Sequence, residues 1–110
     1  PRAKSHRKVV DRIRELTPRK SGESLQCTID RLSRSMRGWF NFFRHCFWNT
    51  FDVYDNMIRK RLRRMLLKRH RCNPERLPRT KRWPNAYFSE RGLYSLREAH
   101  TRFVQTMRTY

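Results

Sequence analysis

The sequence predicts an all-α protein: a small helical bundle of three main helices, a basic linker and a C-terminal helical extension. Three observations carry this expectation. Apolar residues recur at steps of three and four along three separate stretches, the spacing that lines one face of a helix. Ser, Thr and acidic residues stand at the heads of those stretches, where a helix leaves backbone N–H groups unsatisfied. Proline and a short basic loop interrupt the pattern between them. The expected boundaries are a helical domain at 1–71, a Pro-containing basic linker at 72–84 and an extension at 85–110, helical from about residue 95.

The first helix runs from about His6 to Leu16, with Val9, Ile13 and Leu16 in line and Lys8, Arg12 and Arg14 off it. It ends at Thr17-Pro18, because proline disfavours helix in the residue before it. Arg19-Lys20-Ser21-Gly22-Glu23 then reads as a short basic loop. Ser24 is the expected N-cap of the second helix. Leu25, Ile29, Leu32, Met36, Trp39, Phe40 and Phe43 fall within an arc of roughly 100°, and Arg31, Arg34 and Arg37 lie outside it. Gly38 interrupts this helix at a cost of about 1 kcal/mol relative to alanine. Two readings stand for it: a tolerated defect, or close approach by RNA or another backbone.

The third helix is expected from about Phe51 to Arg69, with Thr50 as N-cap and Asp52 and Asp55 in its first turn. Acids at the start and bases at the end match the helix dipole. Phe51, Tyr54, Ile58, Leu62, Met65 and Leu66 form its apolar stripe. Arg59 to Arg71 holds eight Arg and Lys residues and no acid, with Lys60, Arg63, Arg64 and Lys68 projecting mainly away from the stripe. A charge run on a helix is often a solvated face. Unbalanced by any acid, this one is better explained by phosphate contacts.

Pro74, Pro78 and Pro84 punctuate the basic linker, where no apolar period survives. Asn85-Ala86-Tyr87-Phe88 and Gly92-Leu93-Tyr94 form a small aromatic patch. Ser95-Leu96-Arg97-Glu98 resembles a capping box opening a last helix, with Leu96, Ala99, Phe103 and Met107 on one side. The pattern leaves open whether this tail packs on the bundle or awaits a partner.

Composition narrows the function. The 110 residues carry 28 Lys and Arg against 9 Asp and Glu, a formal net charge of +19, with only 36% hydrophobic residues. One small domain fits this length. So large an excess of positive charge works against compaction and argues for a polyanionic partner, nucleic acid first. Arg outnumbers Lys 22 to 6, which favours structured phosphate and base contacts. Fourteen clustered aromatics argue against a wholly disordered chain. No run approaches the roughly 18 apolar residues of a membrane span, and no signal segment opens the chain. A first residue of Pro1 rather than Met suggests a fragment or processed product. Cys27, Cys46 and Cys72 are odd in number and lack CxxC spacing, so a reducing, intracellular compartment fits better than a disulfide framework. His45-Cys46 and His70-x-Cys72 lack the tight repeated spacing of zinc ligands, so no metal is expected.

No catalytic constellation is evident. The nine acids are dispersed, and no aspartate pair suits two-metal phosphoryl transfer. There is no glycine-rich phosphate loop, and His6, His45, His70 and His100 have no nucleophile partner.

One run of residues is more specific. Ile13-Arg14-Glu15-Leu16-Thr17, Arg19, Ser24-Leu25, Ile29 and Leu32 lead into Arg37-Gly38-Trp39-Phe40-Asn41-Phe42-Phe43, and Phe51, Tyr54-Asp55, Ile58 and Leu62 follow. This pattern closely resembles the maturase-specific domain of group II intron-encoded proteins, also called domain X or the thumb. Its most specific signature is Gly-Trp-x-Asn-(Tyr/Phe)-Phe, met here by Gly38, Trp39, Asn41, Phe42 and Phe43, with Phe42 where the family often has Tyr. The resemblance covers roughly Lys4 to Arg71 and continues weakly through Asn85 to Phe88 and Gly92-Leu93. It implies a helical domain that follows the fingers and palm of a reverse transcriptase, in a bacterial cytoplasm. Such a domain binds intron RNA, assists folding and splicing, and supports the template-primer duplex in intron mobility. The palm, not this chain, would carry the catalytic aspartates and their Mg.

The expected RNA-binding residues are Arg19, Lys20, Arg31, Arg34, Arg37, Arg59, Lys60, Arg63, Arg64 and Lys68. Trp39 is expected to pack in the core. Asn41 either bonds within the helices or contacts RNA, and Trp48 and Trp83 either pack or stack on an unpaired base. The alternative reading is a structural thumb, or a general basic nucleic-acid-binding module without an intron-specific role.

Overall fold

A computed structural model describes residues 3–18, 22–43, 48–70 and 79–109. Arg19, Lys20, Cys46, Arg71 and Cys72 lie outside the described residues, as do the side chains of Phe42, Phe43 and Trp48. The elements are α1 (Ala3–Leu16), α2 (Leu25–Phe43), α3 (Trp48–His70), α4 (Arg79–Arg82), α5 (Asn85–Ser89) and α6 (Leu96–Thr109). The described residues contain no strand. The chain is an all-α bundle.

Each helix end has a local cause. At the end of α1 the Thr17 N–H and hydroxyl both donate to the Ile13 carbonyl, at 3.1 and 2.6 Å. Arg61 of α3 then donates to the Thr17 hydroxyl at 2.7 Å and carbonyl at 3.1 Å, so a cation closes the negative end of α1. Ser24 caps α2 by accepting the Cys27 N–H at 3.2 Å. The turn after α5 closes with Leu93 N–H bonded to Phe88 O and Gly92 N–H to Ser89 O, both 3.0 Å. That pattern requires a left-handed residue, which Gly92 supplies at φ +90°.

The start of α3 differs from the sequence expectation. The helix begins at Trp48, so Thr50 lies inside it and neither Asp52 nor Asp55 is in its first turn. Both acids serve another helix instead. Asp55 accepts the Ser95 hydroxyl at 2.8 Å and the N–H groups of Leu96 and Arg97 at 3.0 and 3.1 Å. Asp52 pairs with Arg97 at 3.3 Å. The acid–dipole match is real, but the positive end belongs to α6. Within α6, Ser95 accepts the Glu98 N–H at 3.2 Å, as the capping-box reading expects.

The extension packs on the bundle, which answers the question its pattern left open. α6 lies against α3 and α2, and α1 lies against α2. Val9 and Ile13 of α1 meet Ile29, Leu32, Met36 and Phe40 of α2 and the α3 stripe from Phe51 to Leu66. Trp83, Phe88, Leu96 and Ala99 complete the same buried cluster. Trp83 packs, then, rather than standing free to stack on a base. Leu25, Trp39 and Phe103 are half-buried at its margin, and Met107 is 60% exposed. Phe40 touches Phe51 and Phe103, with ring centroids 5.6 and 6.4 Å apart, so one aromatic seam joins α2, α3 and α6. Ser33 of α2 ties the turn before α6, donating to Gly92 O and accepting Tyr94 N–H at 3.0 Å each.

Asp55 gives the fold a pH signature. Burial lifts its carboxyl above the ordinary value, against the opposing pull of the Arg97, Leu96 and Ser95 bonds and the Arg59 charge. A carboxyl raised in the folded state binds its proton there before it does in the unfolded chain. The penalty is therefore full above the folded pKa and relieved as pH falls through it. Wild type should gain stability relative to Asp55→Asn as pH drops from neutral toward about 4. Urea unfolding across that range checks this, and a constant difference would contradict it.

Candidate nucleic-acid interface

Three residues of α3 stand on one solvent-facing line. Lys60, Arg64 and Lys68 are spaced four residues apart and all exposed, which sets them about 6 Å apart along the axis. Arg14 at the end of α1 adds to them. Burial lowers the pKa of Arg61, and the charges of Arg64 and Arg14 lower it further. Three guanidiniums thus crowd one junction, where Thr17, Arg61, Arg64 and Met65 line a small cavity. No acidic residue pairs with Arg14, Lys60, Arg64 or Lys68 among the described residues. Such a face attracts phosphate.

The remaining predicted positions divide differently. Arg63 is only 8% exposed and points into the protein. Its guanidinium donates to Trp83 O and Asn85 Oδ1 at 2.8 Å each and lies over the Phe88 ring, 5.5 Å from its centroid. Burial, then the Arg59 charge, lowers its pKa. Arg63 fastens the segment after residue 79 to α3, and that placement removes it from the solvent face where the sequence put it. Arg59 is half-buried and bonded to Asn56 at 2.6 Å. Arg31 pairs with Glu23 at 2.6 Å, and Arg12 with Glu15 at 3.2 Å. With Arg34, which is exposed, Arg12 and Arg31 border an open cleft between α1 and α2. Arg37 is exposed on the other flank of α2, its guanidinium 5.4 Å from the Tyr94 ring centroid.

Sequence reasoning missed Arg14 and Arg61 as neighbours of the α3 row. Both appear in the primary structure as ordinary basic residues, and only the crossing of α1 and α3 brings them together. Of the signature residues, Gly38 and Asn41 are exposed on α2 and Trp39 is half-buried. A Cβ added at Gly38 would meet nothing within 4 Å, so among the described residues no backbone outside its own helix approaches it.

Fold and surface together define a small, strongly basic, all-helical domain with an exposed cationic face. The chain matches the family model for the group II intron maturase-specific domain over residues 6–83 and belongs to that family. The match runs past Arg71, through the basic stretch, to the buried Trp83. No curated protein and no solved structure matches the chain. Among the described residues no helix is long and apolar enough to cross a membrane.

Proposed function

We propose that this domain binds group II intron RNA through Arg14, Lys60, Arg64 and Lys68, assists the RNA in folding for splicing, and serves as the thumb of a reverse transcriptase at the template-primer duplex. Membership of the maturase-specific family supports the partner. The observation that carries the site is the exposed α3 row with no acidic partner among the described residues, joined by Arg14 at the end of α1. Affinity at such a face comes mainly from counterion release, while RNA shape and unpaired loops supply selectivity.

Titrating intron RNA at several salt concentrations tests this. Four phosphate contacts predict a slope of log affinity against log salt of about −3 to −4. Affinity should fall about 100-fold between 50 and 200 mM salt. A slope near zero, or binding no tighter than that of a generic basic peptide, would leave the structural-thumb reading in its place.

A further inference from the structure

We propose that a second RNA site lies where the C-terminal extension meets α2, at Arg37, Gly38, Tyr94 and Arg102, and that it holds an unpaired nucleotide. The base stacks on the Arg37 guanidinium, and Arg102 draws the adjoining phosphate. Arg37 and Gly38 fall inside the family match, whereas Tyr94 and Arg102 fall beyond it. The site exists only because the two parts pack together.

The geometry begins at Tyr94. Its N–H is held by Ser33 of α2 at 3.0 Å, so the half-buried ring is anchored to that helix. The Arg37 guanidinium lies over this ring, 5.4 Å from its centroid. Arg37 is exposed on α2, so its side chain stays accessible to a ligand while resting on the ring. A planar cation already supported on an aromatic ring is a stacking surface for a base. Arg102 stands exposed on α6, the helix that packs against α2, and its charge reaches the same tyrosine. Burial raises the Tyr94 hydroxyl above its usual range, and the charges of Arg102 and Arg37 pull it back down. Neither arginine forms an ion pair among the described residues.

Gly38 supplies an independent observation. Nothing among the described residues requires glycine there, since an added Cβ would meet none of them within 4 Å and the helix would gain from alanine. Its bare backbone lies next to Arg37 and between Arg34 and Asn41 on the exposed face of α2. An exposed helix position without a side chain, next in sequence to Arg37, leaves room for a splayed-out base. It offers little to a duplex, whose bases are already stacked on one another.

This inference rests on the RNA-binding reading but uses none of the residues of the α3 face. The test compares an unstructured oligouridine of about 12 nucleotides, within the span of common single-strand sites, with an RNA duplex of equal length. Fluorescence anisotropy with the 110-residue chain gives both affinities. Arg37→Gln and Tyr94→Leu should each weaken oligouridine binding about 10-fold, with duplex binding changed less than about twofold. Tyr94→Phe keeps the ring and should bind as wild type does. Gly38→Ala should raise thermal stability while weakening oligouridine binding, a combination that unfolding cannot produce. Wild type that binds neither RNA would overturn the function proposed above. Wild type that binds both, with Tyr94→Leu and Gly38→Ala silent or equally weakened on both, would overturn the second site alone.

Discussion

Asp55→Ala is expected to cost about 3 kcal/mol of folding stability and to loosen α6 from the bundle. Three donors converge on this carboxylate: the Ser95 hydroxyl and the N–H groups of Leu96 and Arg97. Each buried donor left without an acceptor costs about 1–3 kcal/mol, and loss of a helix cap costs about 0.5–2 kcal/mol. These overlap, because water reaches the exposed Arg97 more readily than Leu96. Asp55→Asn keeps one acceptor oxygen and should cost about 1 kcal/mol. The burial penalty on the carboxylate does not contradict this ranking. A buried charge can cost more than a well-packed neutral group and still be expensive to delete while its partners remain. Chemical unfolding gives the stability, and amide exchange across 96–109 reports on α6. A loss below about 0.5 kcal/mol, with protection unchanged, would mean that apolar packing alone holds the helix.

Replacing Arg14, Lys60, Arg64 and Lys68 together by Gln is expected to abolish most RNA affinity without unfolding the domain. All four are exposed, and exposed substitutions away from special features usually change stability by about 0.5 kcal/mol or less. Removing four phosphate contacts should flatten the salt slope by about 3. Arg63 does not belong in that set. It is bonded to Trp83 O and Asn85 Oδ1, so its loss would report on folding rather than on RNA. Unchanged affinity in a variant of native helicity would exclude this face.

The sequence makes α2 and α6 legible because their caps are local. Ser24 bonds to Cys27, and Ser95 to Glu98, each three residues on. The end of α1 is equally local at Thr17-Pro18. The start of α3 misleads for a physical reason: Thr and Asp near a helix head look alike whichever helix they serve. Asp55 serves one that begins 41 residues later. Arg63 shows the same limit for the site. At about 100° per residue it stands midway between solvent and the apolar stripe, and what covers that flank is set by the segment from Trp83 to Phe88. α4, at four residues, is too short to show any period. The signature Gly38-Trp39-Phe40-Asn41 marked the family, while the grouping of Arg14 with Arg64, and of Arg37 with Tyr94, needed the fold.

The Asp55 cap also sets an order of events during synthesis. Its donors lie 40 to 42 residues further along the chain. At about 5–20 residues per second, the ribosome adds them roughly 2–8 s after Asp55 itself. Through that interval α1, α2 and α3 can form with the Phe40–Phe51 seam uncovered and a carboxylate lacking its partners. The nascent domain therefore holds its first three helices before its core is complete, and arrival of α6 closes it.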